Sequence, residues 1–191
     1  LKANKQLARV LLERGRIAFI LGNWELAMTQ IRSAEQYASK LGDSELLCTI
    51  YSERCHQIRE RLSLDEREKY CSQTLKLASK VGHPKFRIMP HYEYGAICWE
   101  RGEEIQAQFH FQETMQLASS LQDSKGEMLG HNGLGVLAMC QGNSAEARKN
   151  FEQSVILGKN SGLFERLVNP RTNLAELHHC MGNFKKSFDL V

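Results

Sequence analysis

The sequence has 191 residues, 42% hydrophobic and 25% charged, with 25 basic against 22 acidic side chains. That length allows a sizeable core or a run of repeats, and the composition is ordinary for a soluble protein. A net charge of +3 is too balanced to argue for nucleic acid or an anionic membrane, and no apolar run reaches the ~18 residues of a membrane span.

In chain order, the opening Leu1 is neither Met nor the start of a charged-then-apolar leader, so a piece of a larger protein is expected. Residues 22–43, GNWELAMTQIRSAEQYASKLGD, read as a helix that starts after Gly-Asn, carries Ala27, Ala34 and Ala38, and stops at Gly-Asp. Glycine there suits a left-handed C-terminal cap, and the Asn or Asp after it caps the next start. Ser63 and Glu66 make a capping box, and Pro84 suits a first helical turn. RIMPHYEYGAICWERGE (87–103) and EEIQAQFHFQETMQLASSLQD (103–123) step their apolar residues by three and four, as paired helices do. Pro90 and Pro170 predict a kink or a late helix start, with Asn169-Pro170 readable as an N-cap and first residue. The last helix is cut short at Val191, which predicts a sticky end or one covered by further repeats.

These segments repeat every 40 residues. Gly22 returns as Gly102, Gly142 and Gly182, with Leu62 in the missing place. Ahead of it runs Gly15, Cys55, Gly95, Gly135, Ala175. Behind it run Ala27, Arg67, Ala107, Ala147, Ser187, then Ile31, Cys71, Phe111, Phe151, Val191, then Ala34, Thr74, Thr114, Ser154 and Ala38, Ala78, Ala118, Gly158. Small residues at fixed offsets let the two helices of a unit cross closely, and Phe111 and Phe151 fill the gap to the next unit. The expected fold is all-α, a single right-handed superhelical solenoid over 1–191 built from antiparallel helix pairs. Its units are about 8–47, 48–87, 88–127, 128–167 and an incomplete 168–191. In the second unit Leu62 and Arg67 replace Gly and Ala, which predicts a looser pair or one kept open for a partner.

YGAICWERGEEIQAQFHF and LGVLAMCQGNSAEARKNF carry Gly95, Gly102, Ala107, Phe111 and Gly135, Gly142, Ala147, Phe151. In this pattern the chain resembles the tetratricopeptide repeat (TPR), and in its 40-residue period and "ASKLGD" ending it resembles the longer subclass. That subclass is known from Pins/LGN-type adaptors, rapsyn, and the sensor domains of MalT-like and Rap/PlcR-like regulators. The resemblance implies that first helices line a concave groove for a partner peptide. The groove columns are then Arg9, Thr49, Met89, Leu129, Asn169; Leu12, Ser52, Tyr92, Asn132, Thr172; Glu13, Glu53, Glu93, Gly133, Asn173; Arg16, His56, Ala96, Val136, Glu176; and Phe19, Arg59, Trp99, Met139, His179. Within them Arg9, Arg16, His56 and Arg59 suit carboxylates, Tyr92 and Trp99 suit aromatic anchoring, and Asn132 and Asn173 suit a peptide backbone. The competing reading makes the aromatics packing residues and the charges a solvated face.

Catalysis is not expected, since neither a phosphate-binding G-x-x-x-x-G-K-[ST] loop nor a G-x-S-x-G elbow is present. The run His178, His179, Cys180 cannot converge on one ion, because neighbours on a helix diverge by about 100°. No metal or cofactor is expected. Cys48, Cys55, Cys71, Cys98, Cys140 and Cys180 lack C-x-x-C spacing and are expected as reduced thiols of a cytoplasmic protein. The leading expectation is a protein-interaction scaffold or adaptor, of the kind used in signalling, that grips a partner peptide with acidic side chains. The alternative is an effector-sensing regulatory domain of a multidomain switch ATPase or transcription regulator.

Overall fold

A computed structural model describes residues 2–57, 62–164 and 167–190, without the side chains of residues 2 and 55–57. The described residues are all-α and contain no strand. The helices are α1 (Lys2–Ile20), α2 (Trp24–Leu41), α3 (Ser44–Gln57), α4 (Leu64–Val81), α5 (Lys85–Glu100), α6 (Glu104–Ser120), α7 (Ser124–Cys140), α8 (Ser144–Asn160), α9 (Val168–Cys180) and α10 (Phe184–Phe188). Every second helix starts in register, at Trp24, Leu64, Glu104, Ser144 and Phe184, 40 residues apart. The chain divides into two compact units, Leu1–Glu93 and Tyr94–Val191, and the boundary falls inside α5.

One turn recurs between first and second helices. Gly22 has φ 74°, its N–H donates to Phe19, and Asn23 N–H donates to the Ala18 carbonyl at 2.8 Å. Asn23 then caps α2, its Oδ1 accepting from Leu26 N–H at 3.1 Å. Asn143 repeats this on α8, accepting from Glu146 N–H at 3.2 Å. The second repeat keeps the start of α4 by other means, as the sequence predicts. Ser63 Oγ accepts from Glu66 N–H at 3.3 Å while Glu66 Oε2 accepts from Ser63 N–H at 3.0 Å. Where the helix-ending glycine gives way to Gln122, the backbone still adopts φ 53°. A side chain in that region costs roughly 1 kcal/mol, so Gln122→Gly is expected to raise the urea midpoint by an amount worth about 1 kcal/mol.

The small-residue lattice is the core. All four lattice positions are buried in each of four second helices, from Ala27, Ile31, Ala34 and Ala38 in α2 to Ala147, Phe151, Ser154 and Gly158 in α8. The first helices receive them on glycine. A Cβ on Gly15 would lie 2.8 Å from Ile31 Cγ1, one on Gly95 2.6 Å from Phe111 Cδ1, and one on Gly135 2.5 Å from Phe151 Cε1. Phe111 also meets the next first helix, where a Cβ on Gly133 would fall 2.5 Å from the same ring. The lattice hydroxyls are satisfied, Thr114 by the His110 carbonyl at 2.9 Å and Ser154 by the Met128 carbonyl at 2.8 Å.

Three expectations need correction. Arg67, in the alanine column, is not an opening. It is 2% exposed, and its Nη2 lies 3.4 Å from Glu93 Oε2 on α5. Asn169 is not an N-cap, because α9 begins at Val168 after Leu167 and makes no side-chain cap. Pro170 therefore sits in the first turn, where its missing N–H breaks no helical bond. Of the two outcomes expected at Pro90, a kink or a late start, the late start does not occur, since α5 starts five residues before it and runs through it.

Candidate partner-binding surface

In the first unit the foremost candidate is a cleft of about 470 Å³ between α1, α3 and the start of α5. Its apolar floor is Leu12, Leu46 and Phe86, each at most 9% exposed. Lys5 and Arg9, one turn apart on α1, and Lys85 of α5 supply cations, while Glu13, Asp43 and Glu45 supply carboxylates. Asp43 ties the wall together. Its Oδ2 accepts from Lys5 Nζ at 2.6 Å, and its Oδ1 caps α3 by accepting from Leu46 N–H at 3.1 Å. Burial would raise its pKa, but the Lys5 hydrogen bond, the Leu46 N–H and the charges of Lys5 and Arg9 outweigh that and hold it below the usual 3.8.

The sign of the pH effect follows. A carboxyl whose folded pKa is depressed contributes stability fully above its unfolded pKa and loses it as pH falls through the folded value. Asp43→Asn is expected to lower the urea midpoint at neutral pH, with the gap to the parent constant down to about pH 5 and closing below about pH 3.

Each residue predicted for the groove has a definite place. Arg9 is exposed at the cleft beside Leu12, Glu13 and Thr49 of the predicted columns. Arg16, two turns along α1, is already engaged: its Nη1 donates to Glu13 at 3.0 and 3.3 Å, and its Nε lies 3.7 Å from Glu53. A partner carboxylate would have to displace those two. The His56 side chain and Arg59 lie outside the described residues. Tyr92 is 6% exposed and presents little of its ring.

In the second unit Asn132 is buried and accepts a hydrogen bond from Asn173 Nδ2 at 3.0 Å, so the two asparagines bridge α7 and α9. Trp99 is 37% exposed, with its indole N–H donating to Cys140 Sγ at 3.4 Å. The structure thus brings together Arg9 with its column neighbours, and Asn132 with Asn173. Sequence reasoning missed the column Lys5, Glu45, Lys85, all three of which line the cleft. The signal was available, because Lys5 stands four residues before Arg9 and shares its face.

The histidine-cysteine run diverges as helix geometry requires, with His178 buried and His179 and Cys180 exposed. Among the described residues no group of three His, Cys, Asp or Glu is placed to hold a metal ion. No described helix is long and apolar enough to cross a membrane. The buried Cys48 thiol is pushed up to about 11 by burial, with Glu45 adding to the effect.

No protein-family model matches the sequence, and no curated protein does. Solved structures match in fold. A Rap protein in complex with Competence and Sporulation Factor superposes with a TM-score of 0.75 at 16% identity, over 94% of this chain and 50% of that one. BtubC from P. vanneervenii gives 0.71 at 20% identity, over 98% and 78%. A signal-transduction ATPase with numerous domains from Pyrococcus horikoshii, which carries a tetratricopeptide repeat sensor, gives 0.66 at 14% identity, over 98% and 29%. The fold is that of TPR-like helical-repeat proteins. The chain spans half of the Rap protein and under a third of the ATPase.

Proposed function

We propose that this chain is a protein-interaction scaffold whose first helices hold a segment of a partner protein. The supporting observation is the cleft in which Arg9, Leu12, Glu13 and Thr49, all from predicted groove columns, share an apolar floor and a partly cationic rim. An apolar side chain of the partner rests on Leu12, Leu46 and Phe86, and a neighbouring acidic side chain pairs with Arg9 or Lys85. A surface backed by close-packed helices needs little reordering to bind. In this reading the chain is one TPR-like solenoid of the 40-residue subclass, non-catalytic, without cofactor, and cytoplasmic. Arg16 continues this face along α1, and within the Tyr94–Val191 unit the exposed Trp99 and the exposed Phe184 and Phe188 of α10 offer separate contacts.

The test is cross-linking capture of partners on the immobilised chain beside Arg9→Glu with Lys85→Glu. Both residues are exposed, so helicity and melting temperature should hold. Loss of two charge-assisted contacts is expected to weaken capture of a partner peptide cross-linked at α1 or α3 by about a hundredfold. Undiminished capture by the double variant would remove the cleft from the proposal.

A second reading is an effector-sensing domain of a larger switch protein. The fold likeness to the ATPase's repeat sensor and to a Rap protein solved with Competence and Sporulation Factor favours it. A small molecule co-purifying in native mass spectrometry, with no protein captured, would select it.

A further inference from the structure

α1 carries a second face, turned away from its contacts with α2 and α3. Along it Leu7 is 40% exposed, Val10 53% and Ile17 57%, with the exposed Arg14 between them. At the same lattice places other first helices are covered. Ile50, Gly130 and Pro170 stand where Val10 stands, and all are buried. Ile97, Leu137 and Leu177 stand where Ile17 stands and are at most 3% exposed.

At Ile50, Leu177 and Leu167 the cover includes the second helix of the preceding pair. Ile50 of α3 clusters with Ala34 and Ala38 of α2, and Leu47 packs against that cluster. Leu177 of α9 clusters with Ala147 and Phe151 of α8. Leu167, the counterpart of Leu7, presses so close to α8 that a Cβ on Gly158 would lie 2.5 Å from its Cδ2. Even the charge has a precedent. Arg54, the counterpart of Arg14, donates from Nη1 to Glu35 Oε2 of α2 at 2.8 Å. Leu7, Val10 and Arg14 therefore repeat the face Leu47, Ile50 and Arg54 that α3 offers to α2.

We propose that this face of α1 is a docking face for a second helix of α2's pattern, borne by another helix pair of the same repeat type. Its side chains would follow the spacing of Ala27, Ile31, Ala34, Glu35 and Ala38, with small residues receiving Leu7 and Val10 and a glutamate meeting Arg14. The commitment to this occupant rests on continuity with the α2–α3 interface, whose residue types α1 reproduces.

The test inserts a copy of residues 4–43 ahead of residue 4 in the full chain, so that an α2 sequence arrives at α1 in register. Hydrogen exchange is read at Val10 and Ile17 of the original α1. Burial of such side chains corresponds to exchange slowed by about tenfold to a hundredfold, together with a single unfolding transition. Glu35→Arg in the inserted helix should remove much of the slowing, and Arg14→Glu added to it should restore it. Exchange unchanged from the parent chain, or an inserted pair that melts separately, overturns the proposal. So does a parent chain that sediments as a dimer and becomes monomeric in Val10→Glu with Ile17→Glu, since a second copy would then be the natural cover.

Discussion

Phe151→Ala is expected to destabilise the protein by about 3–5 kcal/mol, a large share of the roughly 5–15 kcal/mol that holds most domains folded. The ring is fully buried, clustered with Ala138 and Ala147 and with Leu174 and Leu177 of α9. On the α7 side the ring lies against Gly135, which has no side chain to move into the space. Gly135→Ala attacks the same contact from the other side. Its new Cβ would fall 2.5 Å from Phe151 Cε1, so an overpacking cost of about 1–3 kcal/mol should exceed the ~1 kcal/mol that alanine gains over glycine in a helix. In the Phe151→Ala background the clash is gone, and Gly135→Ala should become stabilising. Urea unfolding of the four proteins closes this cycle, and simple additivity would show that the ring and the glycine are not in fact seated on one another.

The same pair explains why the fold was legible in the sequence. A helix repeat needs a small residue wherever two helices cross and a large one wherever units meet, so Gly135 and Phe151 recur as Gly95 and Phe111 at a fixed period. Start signals are local too, and Ser63 with Glu66 could be read as a capping box without any tertiary knowledge. Asn169 misled because an Asn-Pro pair satisfies the local rule at either register, and the packing of Leu167 on Gly158 decides where α9 begins.

The candidate surface was only partly legible. Period alone assigns a residue to a column but not the angle at which that column leaves the helix. Leu12, Tyr92 and Asn132 share one column and all three are buried, so that column turns between helices more than outward. Arg16 read as an available cation because its partners lie three and thirty-seven residues away, on its own helix and on α3. The cleft at Lys5, Arg9 and Lys85 depends on three helices meeting, and the sequence marks it through the Lys5–Arg9 spacing and the charged residues Glu45 and Lys85 at the places equivalent to Lys5.

Arg67 is the case where a local rule and the tertiary structure conflict most. Restoring the lattice residue with Arg67→Ala should nonetheless cost about 3–5 kcal/mol, because it breaks a buried ion pair by removing the guanidinium that lies 3.4 Å from the Glu93 carboxylate. Both side chains are at most 3% exposed, so the pair is desolvated. Glu93→Gln should be destabilising for the converse reason, since it takes a buried negative charge from beside the guanidinium. Replacing both together with apolar residues of similar volume, Arg67→Met with Glu93→Leu, should return stability to within about 1 kcal/mol of the parent or above it, since two desolvated charges are removed with the bond between them. Urea midpoints at neutral pH decide it. If Arg67→Ala alone costs less than about 1 kcal/mol, alanine fits this crossing as it does at Ala27, Ala107 and Ala147, and the ion pair is incidental. If the costs fall as expected, the second repeat keeps the crossing geometry of the others with a charged pair in place of a methyl group. The partner residue is 26 positions away on α5, so nothing in the local pattern around Arg67 could have announced it.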